Sequence, residues 1–171
     1  MRFELRLEFD TFSHPKTGRR GIMSDWSKKA AQQVQMNREA KLVGDKKALQ
    51  DTDICKRRAP ELWKKLADMF QQKCTEFNSE PGMSNTLYFS DDRPSEFSIS
   101  LGRTGKTFKG DFDSTNQRFN FVSSTWTPAR FILEVRVWPG NSEADIVNVE
   151  AGPIDLESFV NSHLESLLGI G

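Results

Sequence analysis

At 171 residues, 36% of them hydrophobic, the chain is long enough to bury a core without help from disulfides or a structural metal. Thirteen Phe and four Trp supply large apolar surfaces and exclude wholesale disorder, although residues 16–58 are poor in large apolar side chains. Lys plus Arg and Asp plus Glu balance at 24 each, a poor electrostatic footprint for a dedicated nucleic-acid binder. The balance is uneven along the chain: residues 1–80 hold 17 basic and 12 acidic side chains, residues 81–171 hold 7 and 12. Such asymmetry provides either a basic face for an anionic partner or attraction between the two halves.

In chain order, residues 3–9 alternate apolar and charged (Phe-Glu-Leu-Arg-Leu-Glu-Phe), the period of a half-buried strand. A loop rich in Pro, Gly and Arg follows to Gly21. Met23 opens Met-Ser-Asp-Trp-Ser and reads as an alternative start, so the strand and loop of residues 1–22 are conditional on the true start. Residues 23–171 are expected to form a single α+β domain with a helical N-terminal arm over 23–58.

Ser24 or Asp25 suits an N-cap, and Ala, Gln, Lys and Glu dominate up to Val43. The apolar stripe there is thin, with Trp26, Ala30 and Val34 its main members. Gly44 and Asp45 are expected to interrupt the helix, with a weaker helical stretch over 46–58. Pro60 is expected at the first position of a new helix, where its missing N–H is harmless. Leu62, Trp63, Leu66, Met69, Phe70, Cys74 and Phe77 then recur at steps of three and four, the strongest helical signal in the chain.

Beyond Asn85 the period becomes two. Strand patterns centre on Leu87 to Ser90, Phe97 to Leu101, Thr107 to Asp113, Arg118 to Ser123, Phe131 to Val137, and Ile146 to Val149. The short connections between them allow only antiparallel neighbours. Gly152-Pro153 is expected to end the sheet, and Asp155 to cap a last helix whose apolar face is Leu156, Phe159, Val160, His163, Leu164, Leu167 and Leu168. The expected fold is therefore α+β: N-terminal helices, an antiparallel β-meander of five or six strands, and a C-terminal amphipathic helix packed on one face of the sheet.

Candidate chemistry is sparse. Gly102-Arg103-Thr104-Gly105-Lys106-Thr107 resembles the end of a phosphate-binding loop, but Ser100 stands where the first glycine belongs and a strand pattern follows where a helix must. Asp111 to Asn116 offers oxygen ligands, yet the sixth and twelfth positions of a calcium loop would be Asn116 and Val122, so a charged turn is the better reading. Two Cys and two His at these spacings supply neither a zinc site nor a nucleophile–base pair. No catalytic, cofactor-binding or metal-binding residue is assigned, and the sequence leans away from an enzyme.

Partner binding is the remaining class. Trp26, Lys28 and Lys29, the basic run Lys56, Arg57 and Arg58, and Trp126 in its polar inter-strand segment are the candidate contact residues. The expected function is a non-catalytic protein–protein interaction module of adaptor, chaperone-like or immunity-like kind, acting on another protein or by self-association. The alternatives are a nucleic-acid-associated protein using the basic helical half and an enzyme of unrecognised type. Two cysteines, no secretory signal and no apolar run near the roughly 18 residues of a membrane span place the expected location in the cytoplasm, away from membranes.

Overall fold

The structure is a computed structural model that describes residues 20–124, 129–139 and 141–170. The strand expected over residues 3–9 lies outside them. The chain divides into two compact units, Met1–Asp45 and Lys46–Gly171. Helix α1 runs from Arg20 to Ser79. Strands β1 (Leu87–Arg93), β2 (Glu96–Leu101), β3 (Lys106–Asp113), β4 (Arg118–Ser123), β5 (Ala129–Val137), β6 (Ala144–Asn148) and β7 (Gly152–Pro153) precede helix α2 (Leu156–Leu168). The strands form one antiparallel sheet in the order β1-β2-β3-β4-β5-β6-β7, a meander. The α+β class, the meander and the C-terminal helix on the sheet agree with the sequence. No helix among the described residues is long and apolar enough to cross a membrane.

Three boundaries differ from expectation. Helix α1 begins at Arg20, inside the expected loop and ahead of the expected N-cap at Ser24 or Asp25. The three separate helices are one: neither Gly44 nor Pro60 breaks α1. Glycine costs only about 1 kcal/mol relative to Ala inside a helix, and proline about 3. Ala59, Leu62 and Trp63 around Pro60 are all buried in the core, and that burial offsets the proline penalty. Pro60 itself is exposed, as is Lys56, so the carbonyl four residues back, deprived of its helical donor, can turn to water. The sheet also has seven strands, because Gly152-Pro153 extends it instead of ending it. Gly152 adopts φ +91, and Val147 pairs with Pro153 on the outermost strand, where proline's missing donor is tolerated.

The alternating side chains of the strands divide cleanly. Phe97, Ile99, Phe108, Phe119, Phe121, Leu133, Val135 and Ile146 are buried on one face. Against them pack Leu62, Trp63, Leu66, Phe70 and Cys74 of α1 and Val160, Leu164 and Leu167 of α2. The rings form a continuous layer: Trp63 lies 5.2 Å from Phe97 and 5.1 Å from Phe119, and Phe121 lies 5.1 Å from Phe131 and 5.4 Å from Phe159, centroid to centroid. Gly110 is required where this layer meets β3, since a Cβ there would stand 2.6 Å from Phe97 Cε1 and 2.9 Å from Trp63 Cη2. The opposite face is mixed: Tyr88, Val122 and Ile132 are exposed on it and Val147 is buried, while its register partner Glu134 is held by Arg118 Nε at 2.9 Å and Arg136 Nε at 2.6 Å.

Helix α2 starts on Asp155, whose carboxylate accepts the Ser158 amide at 3.1 Å, and stops on Gly169 in the left-handed region, whose amide donates to the Glu165 carbonyl. His163 packs into the ring layer, 4.3 Å from Phe159 and 4.6 Å from Phe131. Its Nδ1 lies 2.8 Å from the Phe159 carbonyl, which can only accept, so Nδ1 carries the proton. Burial holds the His163 pKa below its ordinary value, against a smaller opposing effect of that hydrogen bond.

Two expectations follow. Gly110→Ala costs about 1–3 kcal/mol of stability, measured by urea denaturation, because Trp63 and Phe97 must move. The unfolded chain protonates His163 at about pH 6.5 and the folded chain only lower, so the stability it contributes is complete above that pH. It is lost as pH falls through the folded value. The urea midpoint of the wild type falls over this window, and His163→Leu makes the curve flatter there.

Candidate functional site

Among the surfaces open to a ligand, three combine exposed or accessible apolar side chains with nearby charges. The first is a cleft of about 520 Å³ where α1 meets the β1–β2 and β3–β4 turns. Helical spacing brings Pro60, Trp63, Lys64 and Ala67 to its edge, and the turns add Pro94 and Phe112. Trp63 is fixed by a hydrogen bond from its indole N–H to the Pro94 carbonyl at 3.0 Å and stacks on Phe112 at 6.0 Å. The rim charges are largely spent on each other: Lys64 pairs with Asp68 at 2.7 Å and Arg93 with Glu96 at 3.0 Å. An apolar floor with self-neutralised rims suits an apolar side chain. It sets up no acid–base pair.

A second, smaller groove of about 280 Å³ lies between the end of α1 and α2. Its floor is Phe77, Leu87, Leu164 and Leu168, and Glu76, Glu80 and Glu165 stand around it with Lys73 as the only lining base. Lys73 is engaged by Glu76 at 3.1 Å and Glu157 at 3.9 Å. The Glu76 carboxyl is held below the usual range, first by its hydrogen bond with Gln72 and then by that with Lys73.

The third surface is α1 over residues 25–50. Every side chain there except Ala30 is exposed. Trp26 is 71% exposed and Leu49 69%, with Val34, Met36, Leu42 and Val43 also more than half exposed.

The partner-contact residues expected from sequence distribute as follows. Trp26, Lys28 and Lys29 are exposed on α1 in the first unit, with Lys29 3.7 Å from Asp25. Lys56, Arg57 and Arg58 are exposed on α1 in the second unit. Arg58 pairs with Glu61 at 2.6 Å, and Arg57 Nε donates to the Asp53 carbonyl at 3.3 Å. Trp126 lies outside the described residues. Sequence reasoning missed both grooves. Trp63 and Pro94 are 31 positions apart, and Glu80 and Glu165 are 85 apart, so no local spacing announces either.

The other motifs have structural explanations. Gly102–Thr104 is a single 3-10 turn leading straight into β3, with Gly105 at φ +69, so no helix N-terminus faces that loop. Asp113 Oδ1 accepts the Thr115 and Asn116 amides at 2.9 and 3.1 Å, and its Oδ2 accepts the Asn116 side chain at 2.7 Å. Those bonds, the Asn116 side chain first, lower its pKa and occupy the oxygens a cation would need. Among the described residues no group of three or more His, Cys, Asp or Glu is placed to hold a metal. Both thiols are free and buried; burial pushes Cys55 up and Cys74 up to about 12, far from a nucleophile's range.

Strand addition at β1 is opposed by Asn78 of α1. Its Oδ1 accepts the Thr86 and Leu87 amides at 3.1 and 3.0 Å, and its Nδ2 donates to the Leu87 carbonyl at 2.7 Å. One side chain thus occupies the start of the sheet's open edge, and a register shift between Ser90 and Arg93 irregularises the rest.

Comparison with protein-family models, with curated proteins and with solved structures finds no match to this chain.

Asn78→Ala strands part-buried backbone groups and costs about 1–3 kcal/mol in chemical denaturation. It also opens the β1 edge, so light scattering of the refolded variant rises with concentration; a variant as stable and as dispersed as wild type would contradict this role.

Proposed function

We propose that this chain is a non-catalytic protein–protein interaction module, of adaptor, chaperone-like or immunity-like kind, that engages its partner through the exposed half of α1. The observation that carries the reading is the run of large apolar side chains, Trp26, Val34, Met36, Leu42, Val43 and Leu49, left in water along 25–50. Helices in proteins draw most of their stability from packing one side on a neighbour, and this stretch has no such packing among the described residues. Large apolar side chains left exposed in this number suit contact with another protein, and an exposed tryptophan is a typical anchor. The free buried thiols suit a reducing, cytoplasmic setting.

Nucleic-acid association receives less support, because intrahelical acids already engage part of the basic surface, Asp25 at Lys29 and Glu61 at Arg58. A catalytic role finds no group of convergent, unengaged acids and bases in the clefts described.

The test is site-specific photo-crosslinking in the cells that make the protein. A photoreactive residue at Val34, Leu42 or Leu49 is expected to yield discrete protein adducts. The same residue at Ser98 on the open sheet face is expected to yield none. Equal adduct patterns at both places would contradict the reading, and capture of nucleic acid at the helix would replace it with the alternative.

A further inference from the structure

The cleft beside Trp63 holds one charge that its surroundings leave unanswered. Its lining comes from α1 and from the β1–β2 and β3–β4 turns. Three acidic residues, Asp68, Asp91 and Glu96, line it with two basic ones, Lys64 and Arg93. Both oxygens of Asp68 accept from Lys64 Nζ, at 2.8 and 2.7 Å, and both of Glu96 accept from Arg93, at 3.0 and 3.4 Å. Asp91 has no ion-pair partner among the described residues. Its place is set by the strand: the alternation that sends Leu87 and Phe89 toward the core sends Asp91 to the same face, where the core has ended and the cleft begins. The floor supplies no donor to answer it, because the Trp63 indole N–H is already given to the Pro94 carbonyl.

We propose that this cleft binds a small organic amine, an aromatic or branched alkyl group carrying one ammonium, with the apolar part on Pro60, Trp63, Ala67 and Phe112 and the ammonium at Asp91. The cleft's volume of about 520 Å³ lies within the roughly 300–1,000 Å³ of small-molecule sites. The charge balance selects the sign of the ligand. A neutral apolar molecule takes water from Asp91 and returns no hydrogen bond, which costs affinity. An anion meets more carboxylates than cations, and each cation is already held by both oxygens of its partner. An ammonium replaces the lost water with a charge-assisted hydrogen bond and leaves both ion pairs intact. A ring suits the floor because Trp63 and Phe112 present aromatic surface at fixed positions, stacked 6.0 Å apart. The site lies wholly within the unit Lys46–Gly171 and uses none of the exposed half of α1, so it goes beyond the interaction reading and stands or falls without it.

The experiment is an NMR titration of the full chain with three probes that differ at one end: 2-phenylethylamine, 2-phenylethanol and 3-phenylpropanoate. The amine is expected to give saturable shifts at the Trp63 indole N–H and at the amides of Lys64, Ala67, Asp91 and Phe112. Its affinity is expected to exceed that of the alcohol and of the anion by about tenfold or more. Asp91→Asn, a substitution at an exposed position, lowers the amine affinity about tenfold and leaves that of the alcohol unchanged. Ala67→Phe fills the cleft and abolishes binding of the amine. Cross-peaks remote from the cleft check that each variant folds, and Asp91→Asn decides the matter should Ala67→Phe not fold. Equal affinity for the three probes overturns the assignment, as does an Asp91→Asn variant that binds the amine as the wild type does. So does amine binding whose shifts centre on other carboxylates, such as Glu80 and Glu165, or no saturable shift up to about 10 mM amine, well above what a ligand of this size needs in a fitting cleft.

Discussion

The structure depends on one contact layer, the rings that α1 lays across the middle of the sheet. Trp63 is its centre. The indole is flanked by Phe97, Phe112, Phe119 and Phe121, and its N–H is satisfied by the Pro94 carbonyl across 31 residues of chain. Tryptophan offers the largest apolar surface of any residue but brings a donor that must be paired when buried. The Pro94 carbonyl meets that need and ties the β1–β2 turn to the helix. Gly110 removes a side chain where the rings lie closest to the backbone. Phe70 continues the layer toward Phe108 and Phe159, where α2 closes it.

That layer explains why a single helix has two physical regimes. From Cys55 to Cys74 the side chains facing the sheet are buried, and their burial outweighs the local cost of Pro60. Over residues 25–50 no comparable burial exists, and i,i+4 pairs such as Lys29 with Asp25 and Gln35 with Glu39 contribute only a few tenths of a kcal/mol each. Helix growth from an existing helix needs no new nucleus, so the exposed half persists by propagation from the packed one. The result is a helical stretch whose large apolar side chains stand in water.

Much of this architecture was readable in the chain itself. The change of period near residue 80 separates helix from sheet, Asp155 caps α2 as its short carboxylate allows, and the inward set of Phe residues follows from alternation. What was hidden depended on tertiary energy. Gly44 and Pro60 look like helix ends because their penalties are local, whereas the burial that overrides Pro60's comes from strands that follow it by dozens of residues. Gly152-Pro153 looks like a terminator, yet it becomes a strand because β6 offers it partners. Trp26 with its lysines stood out as an apolar residue in a charged helix. The cleft at Trp63 and the acid-rimmed groove did not, because each joins residues distant in sequence.

Residue-resolved amide hydrogen exchange along α1, measured on the dilute monomer, tests the central claim most directly. The account predicts strong protection, near that of global unfolding, for amides between Leu62 and Cys74, and weak protection graded toward the N-terminus over residues 25–50. Equal, high protection across the whole of α1 in the monomer would contradict it, because the exposed half would then be held by packing that is absent among the described residues.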